Sequence, residues 1–304
     1  EPPFAGIKGW GMPHRMSAPQ IIYGLSAVAD RYDILLCDIW GVIHNGREHF
    51  PAACDALIRF CEHHGHVVLI SNSPRVSSEV ALQLDGLGVP RHAWSAMATS
   101  GDATRDLLRA RAPGPVWTIG PPHESVIYDG LGLDFAGPKM AAFISLTGLE
   151  NDDIETPEDY RERLKPAVAR KLPLVCANPD RQVHKGSKLL WCAGGVAELY
   201  AEMGGGPVIM AGKPYAAIYD LALREAESLT GKPVERQRVL CIGDSAANDL
   251  GGANAQALDA LFVAGGLHGE HVLNAAGGLD AAALTQWLAS KGVHAAHAIP
   301  TLAW

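Results

Sequence analysis

Several places in the 304-residue chain bring together residue types that can handle an anion or a hard cation. Asp38 closes the apolar run Tyr32–Cys37 and precedes Ile39-Trp40-Gly41-Val42. A carboxylate at a strand end can act as a nucleophile or a metal ligand, and the glycine after it lets the chain turn sharply. The same residue type also serves in turns and helix caps. Leu69-Ile70-Ser71-Asn72-Ser73 offers hydroxyls and successive backbone N–H groups leading into a helix, a seat for phosphate oxygens. Gly212-Lys213-Pro214 places one cation ahead of another helix. Gly243-Asp244-Ser245 with Asp249 supplies two carboxylates after a strand, suited to a hard cation such as Mg²⁺. Each has a plain structural alternative: Ser71 and Ser73 as caps, Lys213 as a surface charge, Asp244 and Asp249 as a cap and a first-turn acid. Their order along one chain is harder to obtain by chance.

Short apolar runs must carry these residues. Tyr32–Cys37, His66–Ile70, Arg238–Ile242 and Leu258–Ala264 read as buried strands. Helices are expected over Ala52–His64, where Gly65 stops the apolar spacing, and around Val76–Leu87. Strands alternating with helices predict a parallel sheet covered on both faces, with ligands beyond the carboxyl ends of its strands. Asp38, Ser71 and Asp244 all fall there. Between the halves lies a block with its own elements: strands at Pro115–Ile119, Met140–Leu146 and Leu174–Cys176, and helices at Thr99–Arg111, Pro157–Lys171 and Ser187–Met203. The expected division is a discontinuous core of residues 16–90 and 205–304, an inserted α/β domain over 91–204, and an appended extension at 1–15.

Composition narrows the function classes. Hydrophobic residues at 48 % and charged ones at 19 % fit neither a disordered chain nor a coiled coil. With 33 acidic against 25 basic side chains the net charge is −8, which argues against nucleic-acid or anionic-membrane partners. No apolar run approaches the roughly 18–20 residues of a membrane span. Six scattered cysteines without CxxC pairs read as buried thiols in a reducing, cytoplasmic compartment.

Taken in order, Asp38 with Gly41-Val42, Ser71-Asn72, Lys213, and Gly243-Asp244 with Asp249 resemble the four motifs of the haloacid dehalogenase (HAD) superfamily of phosphotransferases. The insertion between the second and third motifs is similar to the α/β cap of class IIA, the branch of nitrophenylphosphatase-like sugar-phosphate and nucleotide phosphatases. Ala177-Asn178-Pro179-Asp180, Gly212-Lys213-Pro214 and Asp249-Leu250-Gly251-Gly252-Ala253 add to the likeness, which runs from about Ile21 to Gly266. The resemblance implies a Rossmann-like core with an inserted cap. It also implies an aspartyl-phosphate on Asp38 and Mg²⁺ held by the Asp38 carboxylate, the Trp40 carbonyl and Asp244, with Asp249 oriented at one remove. Ser71, Asn72, Ser73 and Lys213 would bind phosphoryl oxygens, and Lys213 would also restrain Asp38. Asn178 and Asp180 are the cap residues placed to meet the leaving group; an ordinary turn is the alternative reading. The expected partner is a small phosphorylated metabolite, with a homodimer among the oligomeric states left open.

One departure matters. Most phosphatases of the superfamily carry a second aspartate two residues after the nucleophile, which protonates the leaving oxygen and later activates water; here Trp40 stands in its place. An indole has no proton to exchange near neutral pH, and such help is worth ~10²–10⁴-fold. Three readings follow: a phosphatase that is slow or restricted to good leaving groups, phosphoryl transfer to an acceptor other than water, or a degenerate protein that binds a phosphorylated ligand as sensor or scaffold. His44 is the nearest substitute proton carrier in sequence, and also reads as a residue that packs or caps the loop. His63-His64-Gly65-His66 straddles a helix end and a strand start, so its rings should diverge rather than hold zinc. His294 and His297 read as surface positions on a terminal strand, and Gly204-Gly205-Gly206 fits no nucleotide-binding glycine pattern.

Overall fold

The computed structural model describes residues 18–185, 188–274 and 277–304. The extension expected at 1–15 lies outside the described residues. In chain order the strands are β1 (Gln20–Ile21), β2 (Ile34–Asp38), β3 (His66–Ser71), β4 (Ala96–Thr99), β5 (Val116–Ile119), β6 (Phe143–Leu146), β7 (Leu174–Cys176), β8 (Gln182–Lys185), β9 (Lys188–Trp191), β10 (Val208–Met210), β11 (Val239–Gly243), β12 (Asp259–Val263) and β13 (His297–Ile299). The described residues fall into two compact units, one of 18–71, 78–98 and 213–304, the other of 72–77 and 99–212.

The first unit is built on a seven-stranded sheet in the order β1-β13-β12-β11-β2-β3-β4. The central pairs β2–β3, β2–β11 and β11–β12 run parallel. All five residues of β2 and of β11 are buried, as strands covered on both faces require. Side chains alternate between faces: Leu35, Cys37, Val67 and Leu69 share one cluster with Ala53, Leu57 and Phe60 of the helix Pro51–His63. Leu36 and Val68, one step along, are equally buried. The helix Ala216–Thr230 also packs on β3, burying Ile218, Tyr219 and Ala222. Phe60 is fully buried in this packing, so Phe60→Ala should cost about 3–5 kcal/mol.

The second unit carries a four-stranded sheet, β10-β7-β6-β5, whose pairs are parallel, and the antiparallel hairpin β8–β9. Thr99 caps the helix Ser100–Arg109 by accepting from the Asp102 N–H. The acidic stretch Glu150–Asp159 is a loop and helix start: Thr156 and Asp159 form a capping box ahead of a short 3₁₀ turn, Pro157–Tyr160, and the helix Arg161–Ala169.

Four expectations are corrected. β4 belongs to the seven-stranded sheet, with Met97 and Ala98 buried, so residues 91–98 lie in the first unit rather than in the insertion. β10 belongs to the four-stranded sheet, so residues 205–212 lie in the second unit rather than in the core. The helix expected over Ser187–Met203 spans only Ala193–Glu202, because Lys188–Trp191 pairs with Gln182–Lys185 instead. His297 is buried rather than superficial: its Nε2 lies 2.9 Å from the Tyr32 hydroxyl, which donates to Asp259 at 2.8 Å. Burial pulls its pKa down to about 4. The six cysteines are all free thiols, five of them buried.

Candidate active site

Strand register assembles the core of the site. Asp38 lies opposite Ile70 of β3, and Cys37 opposite Ile242 of β11. Asp38 is therefore level with Gly243, and Ser71 and Asp244 follow one residue on at the same sheet end. Beyond β11 the chain makes a π-type turn over Ala246–Leu250, started by the Ser245 hydroxyl accepting from the Asn248 N–H at 3.2 Å. That turn brings Asp249 back over the strand end. Each carboxylate is then fixed by backbone: Asp249 Oδ2 accepts from the Ser245 N–H at 3.0 Å, and Asp244 Oδ2 from the Leu267 N–H at 2.9 Å.

Lys213 joins them from the start of its own segment. Its ammonium donates to Asp38 Oδ1 at 2.6 Å and to Asp249 Oδ1 at 2.7 Å. Asp38, Lys213, Asp244 and Asp249 are all buried, and the three carboxylates each offer an oxygen within 4.8 Å of the others. Three buried carboxylates against one ammonium is an excess of negative charge, and the electrostatics register it. Burial and the neighbouring Asp249 push Asp38 up to about 8 against the pull of Lys213. Asp244 is pushed up to about 6 by burial, then by Asp249. Burial alone would lower Lys213, but Asp249 and Asp38 together hold it well above its usual range. Clustered hard oxygen donors with surplus negative charge suit a divalent cation, so the residues fit Mg²⁺. No other cluster of this kind occurs among the described residues.

The turn after Asp38 is shaped around these groups. Gly41 has φ +81, and a Cβ there would sit 2.2 Å from Asp244 Oδ2, so only glycine allows the approach. The Gly41 N–H donates to the His44 carbonyl at 2.9 Å. His44 is buried, its Nδ1 accepts from the Gly46 N–H at 2.9 Å, and burial lowers its pKa. Those contacts make it a residue that closes the loop. Trp40 packs edge to face on His44 with centroids 5.3 Å apart, yet 47 % of the residue is exposed.

The remaining residues singled out in the sequence divide between the units. Ser71 ends β3 in the first unit. Asn72, Ser73, Asn178 and Asp180 belong to the second, where Asn72 Nδ2 donates to Asp180 Oδ1 at 3.3 Å. Asn178 Oδ1 accepts from the Asp180 N–H at 3.0 Å, an Asx turn, and Ser73 Oγ accepts from the Arg75 N–H at 3.3 Å. Sequence reasoning did not find Leu267, whose N–H holds Asp244. The signal available was Gly265-Gly266 directly after an apolar strand. His63 lies beside Glu62, and His64 pairs with Asp30 at 3.1 Å, so the histidine run makes no cluster.

Known proteins share sequence and fold with this chain. Family models for haloacid dehalogenase-like hydrolases match residues 35–134 and 210–286. A haloacid dehalogenase-like hydrolase from Brucella suis is similar at 40 % identity and TM-score 0.79, over 93 % of this chain and all of that one. At 17 % identity, a possible sugar phosphatase from Cytophaga hutchinsonii shares the fold with TM-score 0.73, over 93 % of this chain and 98 % of its own. A p-nitrophenyl phosphatase from Archaeoglobus fulgidus does so at 19 % identity and TM-score 0.67, over 89 % and 96 %. No curated protein sequence matches. The sheet, the buried acid–lysine cluster and these likenesses agree: the chain belongs to the haloacid dehalogenase-like hydrolase family, with structural neighbours in its class IIA branch.

Proposed function

We propose that the protein is a Mg²⁺-dependent phosphohydrolase acting on a small phosphorylated metabolite through an aspartyl-phosphate on Asp38. The observation that carries this reading is the buried cluster of Asp38, Lys213, Asp244 and Asp249 at the strand ends. Lys213 holds Asp38 Oδ1, which leaves Oδ2 to form the bond to phosphorus. The bond from phosphorus to the leaving oxygen breaks and its electron pair departs with that oxygen. Water then attacks the aspartyl-phosphate, Asp38 regains its carboxylate, and the proton passes to solvent. Lys213, with Ser71 at the neighbouring strand end, would bind phosphoryl oxygens. The Asp38 and Asp244 carboxylates and the Trp40 carbonyl would hold the Mg²⁺, with Asp249, bonded to Lys213 and the Ser245 N–H, acting at one remove, and the ion would offset charge on the phosphoryl group. Asn72 and Ser73 for phosphoryl oxygens, and Asn178 and Asp180 for the leaving group, rest on the sequence pattern and the family resemblance.

Trp40 limits the chemistry. With no proton to give, the leaving oxygen must depart as an anion, so aryl and acyl phosphates should turn over and alkyl phosphates hardly at all. That same residue supports a second reading, a protein that binds a phosphorylated ligand without turnover. Assays with p-nitrophenyl phosphate and acetyl phosphate in Mg²⁺ separate the two. The first reading expects hydrolysis that vanishes in Asp38→Asn. Absence of turnover with tight phosphate retention would favour the second.

A further inference from the structure

We propose that the Trp40 indole is the platform on which the leaving group stacks, and that the substrate is a phosphate monoester of a planar, conjugated hydroxyl, a phenol or an enolic heteroaromatic ring. The inference rests on the phosphohydrolase reading and adds the substrate class.

The first ground is placement. Trp40 follows Asp38 by two residues at the sheet end, a span of at most ~7 Å of extended backbone. Around it Asp38, Ile39, Val42, Ile43 and His44 are all buried, while Trp40 remains 47 % exposed. Trp40 is thus the one large apolar side chain left half exposed on the turn that directly follows the buried Asp38.

The second ground is rigidity. Trp40 and His44 form a backbone bridge, and their rings meet edge to face at 82°. The benzo ring rests over Gly46, where φ is +83 and a Cβ would lie 2.3 Å from Cη2. Gly46 is in turn fixed by its N–H on His44 Nδ1 at 2.9 Å. Packing on His44 and Gly46 restrains the indole, which reduces the conformational entropy lost when a second ring stacks on it.

The third ground is chemical. The Trp40 indole has no proton to give the leaving oxygen near neutral pH. When the bond from phosphorus to the leaving oxygen breaks, the electron pair stays on that oxygen and needs delocalisation. A phenolic or enolic ring supplies it, and the same flat ring is what an indole stacks.

The test is binding of two non-hydrolysable probes of similar size, phenylphosphonate and cyclohexylphosphonate, to the Mg²⁺-loaded protein by calorimetry. Wild type should favour phenylphosphonate by about 3- to 10-fold, the range of an aromatic pair. Trp40→Ala should bind both alike, and Trp40→Phe should keep most of the preference. Equal binding of both probes by wild type, or a preference that survives Trp40→Ala, would overturn the platform while leaving the phosphate site standing. Failure of either probe and of inorganic phosphate to bind would overturn the phosphohydrolase reading and this inference together.

Discussion

At the residue scale, charge decides how the cluster behaves. Among the described residues, Lys213 is the ammonium that donates to two of the three buried carboxylates. Removing one partner of a buried charge network leaves the others uncompensated. Lys213→Met should therefore lower the stability of the Mg²⁺-free protein by about 3–5 kcal/mol in urea denaturation, with a smaller loss when Mg²⁺ is present. Asp38→Asn should act in the opposite sense on stability, because it removes one of the mutually repelling carboxylates, while abolishing turnover. A stable variant that still hydrolyses p-nitrophenyl phosphate would remove Asp38 from its proposed role.

At the element scale, the strand ends and the turns after them make the site. β2, β3 and β11 were legible in the sequence because each is a continuous apolar run stopped by a polar residue. Register then made Asp38, Ser71 and Asp244 neighbours without further instruction. What was not legible depends on contacts remote in sequence. β4 is a short strand whose membership in the large sheet is decided by pairing. The segment Lys188–Trp191 reads helical locally and becomes a hairpin strand because Gln182–Lys185 lies opposite. His297 looks like surface until Tyr32 and Asp259 meet it. The Leu267 N–H on Asp244 likewise comes from a loop with no side-chain signature. The turn after β2 carries its own prediction. Gly41→Ala would force an L side chain into φ +81 and against Asp244, at a cost of about 1–3 kcal/mol. Thermal unfolding should register that loss, and Mg²⁺ affinity should fall with it, because Asp244 must move.

At the scale of the whole molecule the −8 charge says little, and the few buried carboxylates say much more. Asp38 and Asp244 have pKa values raised in the folded state, to about 8 and about 6. A carboxyl raised on folding binds its proton more tightly folded than unfolded. Its contribution is complete below about 4, the unfolded value, and is lost as pH rises through the folded one. His297 works in the other direction, since its pKa is lowered on folding and its contribution is lost as pH falls from the unfolded value near 6.5 to about 4. Comparing melting curves with and without Mg²⁺ cancels His297, which lies outside the cluster. The rise in Tm on adding Mg²⁺ should therefore grow from pH 5 to about pH 8 as protons leave Asp244 and Asp38, the proposed ligands. A rise independent of pH would place the ion elsewhere.

The most direct measurement of the central claim is the dependence of kcat/KM on leaving-group pKa across a series of aryl and alkyl phosphates, in Mg²⁺, for wild type and Trp40→Asp. For wild type, log kcat/KM should fall steeply as the leaving group becomes more basic. Trp40→Asp should flatten the line and raise alkyl-phosphate turnover by ~10²-fold or more, as the new carboxyl protonates the leaving oxygen. A shallow dependence in wild type, with alkyl and aryl phosphates hydrolysed alike, would contradict the account.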